Sequence, residues 1–223
     1  MTEEEWLACA DPAAMLRHLG AKISNRKLRL FACACCRRVW NFVRDDRLKA
    51  ALDILERYAD KEASDKERLE ARRGIAAFRE AHYDEHREEE ICIGVELWRT
   101  STKSRRPVVT TCGEGAATAF GWADVSELNN RTATERAAQT ALVRDIFGNP
   151  FRPVALEPAW LTSDVLALAR GIYADRAFDR MPILAEALQD AGCNQDDVLT
   201  HCRDANAVHV RGCWVVDLLL GKG

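Results

Sequence analysis

The chain has 223 residues, 48% of them hydrophobic and 30% charged, with a net charge of −3. That is enough to bury one sizeable core or two small ones, and the composition excludes disorder and low complexity. The slightly acidic balance excludes a protein that coats nucleic acid or anionic membrane with its whole surface, leaving room only for local basic patches.

The acidic start Met1-Thr2-Glu3-Glu4-Glu5-Trp6 lacks the basic residues and apolar stretch of a secretory signal. Thr2 and Glu5 have capping-box spacing and predict a first short helix. Asp11-Pro12 reads as N-cap and first helical residue, with Gly20 ending a second helix that carries Met15, Leu16 and Leu19. Ser24 caps a third, where Leu28, Phe31, Cys35, Val39 and Phe42 recur at spacings of three and four. Asp46 opens the next, with Leu48, Ala51, Leu52, Leu55 and Tyr58 inward. Ser64 and Glu67 form another capping box, opening a charged segment to about Glu90 whose thin stripe (Leu69, Ala76, Phe78) predicts a surface helix.

Residues 91–100 read as a continuation, 100–107 as a flexible loop, 108–111 as a β-branched run too short for a sheet, and 114–124 as an alanine-rich segment. Thr132 and Glu135 predict the start of a helix that runs to Phe147 and stops at Gly148. Asn149-Pro150-Phe151-Arg152-Pro153 is a stiff connector, because each proline disfavours helix in the residue before it. Helices over about 163–175, 180–191, 196–202 and 210–220 complete the pattern. The expectation is an all-α protein, a multi-helix orthogonal or irregular bundle with no substantial sheet. Its N-terminal helical region, 1–148, holds a variable charged middle over about 60–130. Its C-terminal helical region, 149–223, packs on the first as one globular unit.

Soft ligands gather near the C-terminus: Cys193, His201, Cys202, His209 and Cys213. Zinc takes four N or S ligands in a tetrahedron, usually from two close pairs, and His201, Cys202, His209 and Cys213 could supply two such pairs. His209 and Cys213 would share a helix face if the last helix began early, whereas adjacent His201 and Cys202 point apart on a helix. No clean C-x-x-C pairs mark a zinc module, so apolar packing between helices is the default reading and metal binding the alternative. Cys33 and Cys36 have C-x-x-C spacing but lie mid-helix, away from the helix N-terminus that activates redox thiols. His82 and His86 are spaced i, i+4, but Tyr83 stands where a metalloprotease has its glutamate. From Pro12 to Arg44 there are eight cations and no acid, a stripe that could track phosphates, with the acidic stretch Asp84 to Glu96 as an internal counterpart. No P-loop, dinucleotide fingerprint or nucleophile elbow occurs.

Two sequence blocks carry a resemblance. One is Glu5-Trp6-Leu7, Asp11-Pro12, Met15-Leu16 and the run from Arg26 through Phe31-Ala32-Cys33 and Cys35-Cys36-Arg37-Arg38 to Trp40. The other joins Asn149–Pro153, Pro158–Leu161, Ala177–Arg180 with Pro182, and His209-Val210-Arg211-Gly212-Cys213-Trp214. On these the chain resembles a family of bacterial proteins that is numerous in planctomycetes, occurs in some actinobacteria and has no assigned activity. The resemblance implies that the two ends form a common unit with an interaction or regulatory role, and it transfers no catalytic residue.

The leading expectation is therefore a cytoplasmic, non-enzymatic helical module without cofactor or membrane association, binding a protein partner. Arg37, Arg38, Phe151, Arg152 and Arg211 are its candidate contact residues, since arginines and aromatics are favoured at interfaces. The first alternative is a metal- or thiol-dependent regulator using zinc at the C-terminal Cys and His residues. Nucleic-acid binding through 12–44 is the other, disfavoured alternative.

Overall fold

The computed structural model describes the backbone of residues 1–38, 40–82 and 125–223, and the side chains of these except 21, 42 and 125–132. Ten α-helices and several 3-10 turns account for the order there, with no strand among the described residues. The protein is all-α. The chain divides into two compact units, Met1–Thr140 and Ala141–Gly223. The division falls inside a helix, ahead of the Asn149–Pro153 connector expected to mark it. The readings made for 83–124, including His86 and the acidic stretch Asp84 to Glu96, lie outside the described residues.

In the N-terminal unit, α1 (Glu3–Ala8) starts at the Thr2–Glu5 capping box and α2 (Pro12–Leu19) at Asp11. Helix α3 (Asn25–Arg38) buries Leu28, Phe31, Cys33, Cys35 and Cys36. Its described span ends at Arg38, and Trp40–Phe42, which the apolar stripe placed on the same helix, form a 3-10 turn. Helix α4 (Asp46–Ala59), capped by Asp45, places Leu48, Ala51, Leu52 and Leu55 inward at spacings of three, one and three. Each fully buried leucine contributes roughly 1.5–3 kcal/mol.

Helix α5 (Asp65–Ala81) is no surface helix, because its buried face is Arg68, Ala71, Ile75 and Phe78, while Leu69 is 43% exposed. The missed face is built from a small residue and an arginine. Ala71 permits close approach, and Arg68 is held by Asp65 at 3.1 Å with its guanidinium 5.4 Å from the Tyr58 ring. Helix α6 (Val125–Phe147) begins upstream of Thr132, which is therefore not an N-cap. Glu135 is spent elsewhere: it is 2% exposed, accepts from Arg38 at 3.1–3.2 Å and from Gln139 at 3.1 Å.

In the C-terminal unit, α7 (Ser163–Asp175) is capped by Thr162, and α8 (Met181–Asp190) and α9 (Asp196–Arg203) follow. The last helix, α10, covers only Trp214–Leu220 and ends at Gly221. Its start at Trp214 instead of 210 leaves His209 in a loop and Cys213 at the N-cap, so the two share no helix face. Val165, Ala169, Ile172, Leu184, Leu188, Val198, Val215 and Leu219 close this core around Trp160. No helix among the described residues is long and apolar enough to cross a membrane.

Candidate metal centre

Four side chains of the C-terminal unit converge. Asp145 lies in the last turn of α6, His201 near the end of α9, His209 in the loop that follows, and Cys213 immediately before α10. One donor atom from each lies within 4.8 Å of all the others. The carboxylate Oδ1 of Asp145 is 2.8 Å from His209 Nδ1 and 3.2 Å from His201 Nε2. Cys213 Sγ is 3.2 Å from His201 Nε2 and 4.0 Å from His209 Nδ1. Zinc bonds of about 2.0–2.3 Å place neighbouring ligand atoms of a tetrahedron about 3.3–3.8 Å apart. The observed separations straddle that range.

The local fold explains the convergence. The αL conformation of Gly148 (φ +68°) turns the chain after α6, and a Cβ there would lie 3.2 Å from the Trp214 ring. Trp214 thus packs against the glycine and sits 5.3 Å, centroid to centroid, from His201. His201 in turn meets the edge of His209 at 4.7 Å. The second carboxylate oxygen of Asp145 accepts the Val210 backbone N–H at 3.0 Å, which fixes the loop that carries His209. Such a contact orients the carboxylate and leaves its other oxygen for the centre.

The electrostatics ask for a cation. Asp145 is 3% exposed and lies at the C-terminal end of a helix, where the backbone dipole disfavours negative charge. Burial would push its carboxyl up, but the hydrogen bonds and charge of His201 and His209 outweigh this and hold it below the usual carboxylate range. Burial pushes the Cys213 thiol well above its ordinary value, Asp145 adds to that, and the Val216 and Val215 N–H groups pull against it. A divalent ion would reverse the balance: one carboxylate, one thiolate and two neutral imidazoles around it sum to a neutral buried group.

A catalytic triad is a poorer description. In a relay, a nucleophile and a carboxylate meet opposite nitrogens of one imidazole. Here Cys213 and Asp145 both meet Nε2 of His201, and both meet Nδ1 of His209. The atoms surround a point. Cys213 is also fully buried and its thiol is held protonated, the reverse of an activated nucleophile.

The structure places the other sequence candidates outside this group. Cys193 and Cys202 lie buried in the apolar core, and the Cys202 thiol is pushed up to about 12 by burial, with Asp145 and Cys193 adding to it. Cys202 adjoins His201 in sequence but faces the other way, as adjacent helical residues do. Cys33, Cys35 and Cys36 are buried thiols that form no disulfide among the described residues. His82 is the C-cap of α5, near Asp45 and Arg47.

Arg37 is clamped to Glu56 at 2.6 and 2.7 Å and to Asp53 at 2.6 Å, and Arg38 to Glu135. Phe151 is 37% exposed, Arg152 lies 3.7 Å from Asp197, and the Arg211 guanidinium lies 4.9 Å from the Tyr173 ring centroid. The basic 12–44 stripe is partly neutralised by its own chain, with Arg26 bonded to Asp60 and Arg17 near Asp11.

Asp145 escaped the sequence reading. Its signal is a carboxylate three residues after Leu142 and next to Ile146, on the apolar face of a helix that has no use for a charge there. No protein-family model matches the chain, and no characterised protein or solved structure shows significant similarity to it.

Proposed function

We propose that the C-terminal unit binds a zinc-type divalent ion through Asp145, His201, His209 and Cys213, and that the chain is a metal-stapled helical module with a binding or regulatory role. The observation that carries this reading is the approach of four donor atoms of different chemistry to within 4.8 Å, three of them from buried or nearly buried side chains. A thiolate, two imidazoles and a carboxylate form a donor set suited to zinc.

Four protein ligands fill a tetrahedral shell, and such closed sites are structural, whereas catalytic zinc keeps a position for water. The ion would tie the end of α6 to the end of α9, to the 204–213 loop and to the start of α10. That loop has little apolar anchorage of its own, with Val208 40% exposed. A crosslink at its far end supplies what packing does not.

The test is metal analysis of the purified full chain, followed by cobalt substitution. About one equivalent of zinc per chain is expected. A thiolate-to-cobalt charge-transfer band should appear in the near ultraviolet and vanish in Cys213→Ser. Less than about a tenth of an equivalent after incubation with zinc would refute the reading.

A further inference from the structure

The four side chains of the metal centre are unequally enclosed. Cys213 is 0% exposed, Asp145 3% and the His209 side chain 5%, whereas the His201 side chain is 17% exposed. His209 Nε2 is buried without a hydrogen-bond partner, so that ring has no polar place into which to turn its far nitrogen. His201 carries no such stranded atom. Solvent therefore meets the centre along the ring of one ligand.

The backbone grades the four in the same way. The second oxygen of Asp145 accepts the Val210 N–H at 3.0 Å, and Cys213 leads directly into α10, whose Val215 and Val216 N–H groups donate towards its sulfur. Displacing either breaks contacts of the buried core. His201 stands in the last turn of α9, where Leu199 and Cys202 anchor the helix and Arg203–Asn206 beyond it are exposed. A rotation about its own side-chain bonds, with that backbone in place, carries its ring towards water.

Trp214 opposes this rotation. Its ring lies 5.3 Å from the His201 ring, centroid to centroid, and is tilted from it by 49°. The indole is itself held against Gly148, where a Cβ would come within 3.2 Å. Trp214 is only partly buried, which puts this cover at the protein surface. Apolar neighbours of a metal ligand govern both its orientation and the access of water.

We propose that His201 is the ligand that releases first when the ion of this centre exchanges, and that Trp214 sets how often it does so. The inference rests on the metal reading above and adds its regulation. Water takes the vacated position, while Asp145, His209 and Cys213 keep their places. Three protein ligands and one water form a shell that zinc holds stably. The site thus fills and empties with the supply of free ion on one side only, without unfolding of the unit around it.

The test uses the full chain with cobalt, zinc and imidazole. His201→Gly removes the ring that meets solvent and His209→Gly the enclosed one. Among variants with wild-type circular dichroism, His201→Gly should still bind one cobalt per chain, and added imidazole should return its visible spectrum to the wild-type form. Imidazole should leave the spectrum of His209→Gly unchanged. His201→Gln, which keeps most of the side-chain volume, should also retain one cobalt. Zinc transfer to a chromophoric chelator should be about tenfold faster in Trp214→Ala than in the wild type at unchanged stoichiometry, with Trp214→Phe between them. A wild-type chain that binds no cobalt overturns the metal reading itself. The exchange route alone is overturned if the wild type binds cobalt but neither His201 variant does. It is equally overturned if imidazole acts alike on the two glycine variants, or if Trp214→Ala transfers zinc at the wild-type rate.

Discussion

If the C-terminal unit holds the proposed ion, removing it should cost most of that unit's stability. An ion present at about a thousand times its dissociation constant stabilises the state that binds it by about 4 kcal/mol. The unit spans Ala141–Gly223, a size at which each kcal/mol moves the melting temperature by about 4–8 °C. Wild-type protein melted with zinc and again with a strong chelator should therefore differ by roughly 15–30 °C in the transition of this unit. Tryptophan emission can follow it locally, because Trp214 packs against His201 and Gly148, and Trp214→Phe assigns its share of the signal. Asp145→Asn keeps the shape and removes the charge, so zinc should no longer raise its melting temperature. If the wild type melts identically in zinc and chelator, or if Asp145→Asn keeps the full increment, the four side chains form only a hydrogen-bonded cluster.

Three further outcomes follow from other contacts. Cys202→Ala should leave zinc stoichiometry unchanged while costing about 1–2 kcal/mol for the core volume lost, as metal analysis and denaturant melts would show. Gly148→Ala should destabilise the C-terminal unit by about 1–3 kcal/mol, because it combines a left-handed backbone with a Cβ pressed on Trp214; circular dichroism melting measures this. Arg38→Met should destabilise the N-terminal unit by about 3 kcal/mol by stranding the buried Glu135, and the additional change Glu135→Gln should recover part of the loss.

Helices were legible where local chemistry dictates them. Thr2, Asp11 and Ser64 mark helix starts through side chains that satisfy orphan backbone N–H groups within three residues, whereas the start assigned to Asp46 is capped by Asp45 and the Thr162 cap of α7 went unread. The readings that failed depended on what a segment meets in space. Helix α5 hides a face made of Ala71, Ile75 and Arg68, whose burial depends on Tyr58 and Asp65. Thr132 and Glu135 have the spacing of a capping box, but Glu135 answers to Arg38, ninety-seven residues away. The last helix starts at Trp214 instead of 210 because Asp145 holds the Val210 N–H and Gly212 takes a left-handed φ of +93°, so the glycine was the one local sign of a loop there.

The metal centre divides along the same line. His201, His209 and Cys213 stand out by residue type, and their proximity in sequence made them candidates together. The geometric reason offered for pairing His209 with Cys213, a shared helix, is not the one the fold uses. A loop bent by Gly212 (φ +93°) and held by Asp145 brings them together instead. The fourth member comes from fifty-six residues upstream of His201, which no local spacing rule reaches. Burial then decides what the group can do. Burial keeps the Cys213 thiol protonated while His201 and His209 keep Asp145 ionised, and a doubly charged ion would take the place of the thiol proton and of the positive charge on the imidazoles. The same burial that disqualifies Cys213 as a nucleophile suits the four together to the closed, charge-balanced site proposed for them.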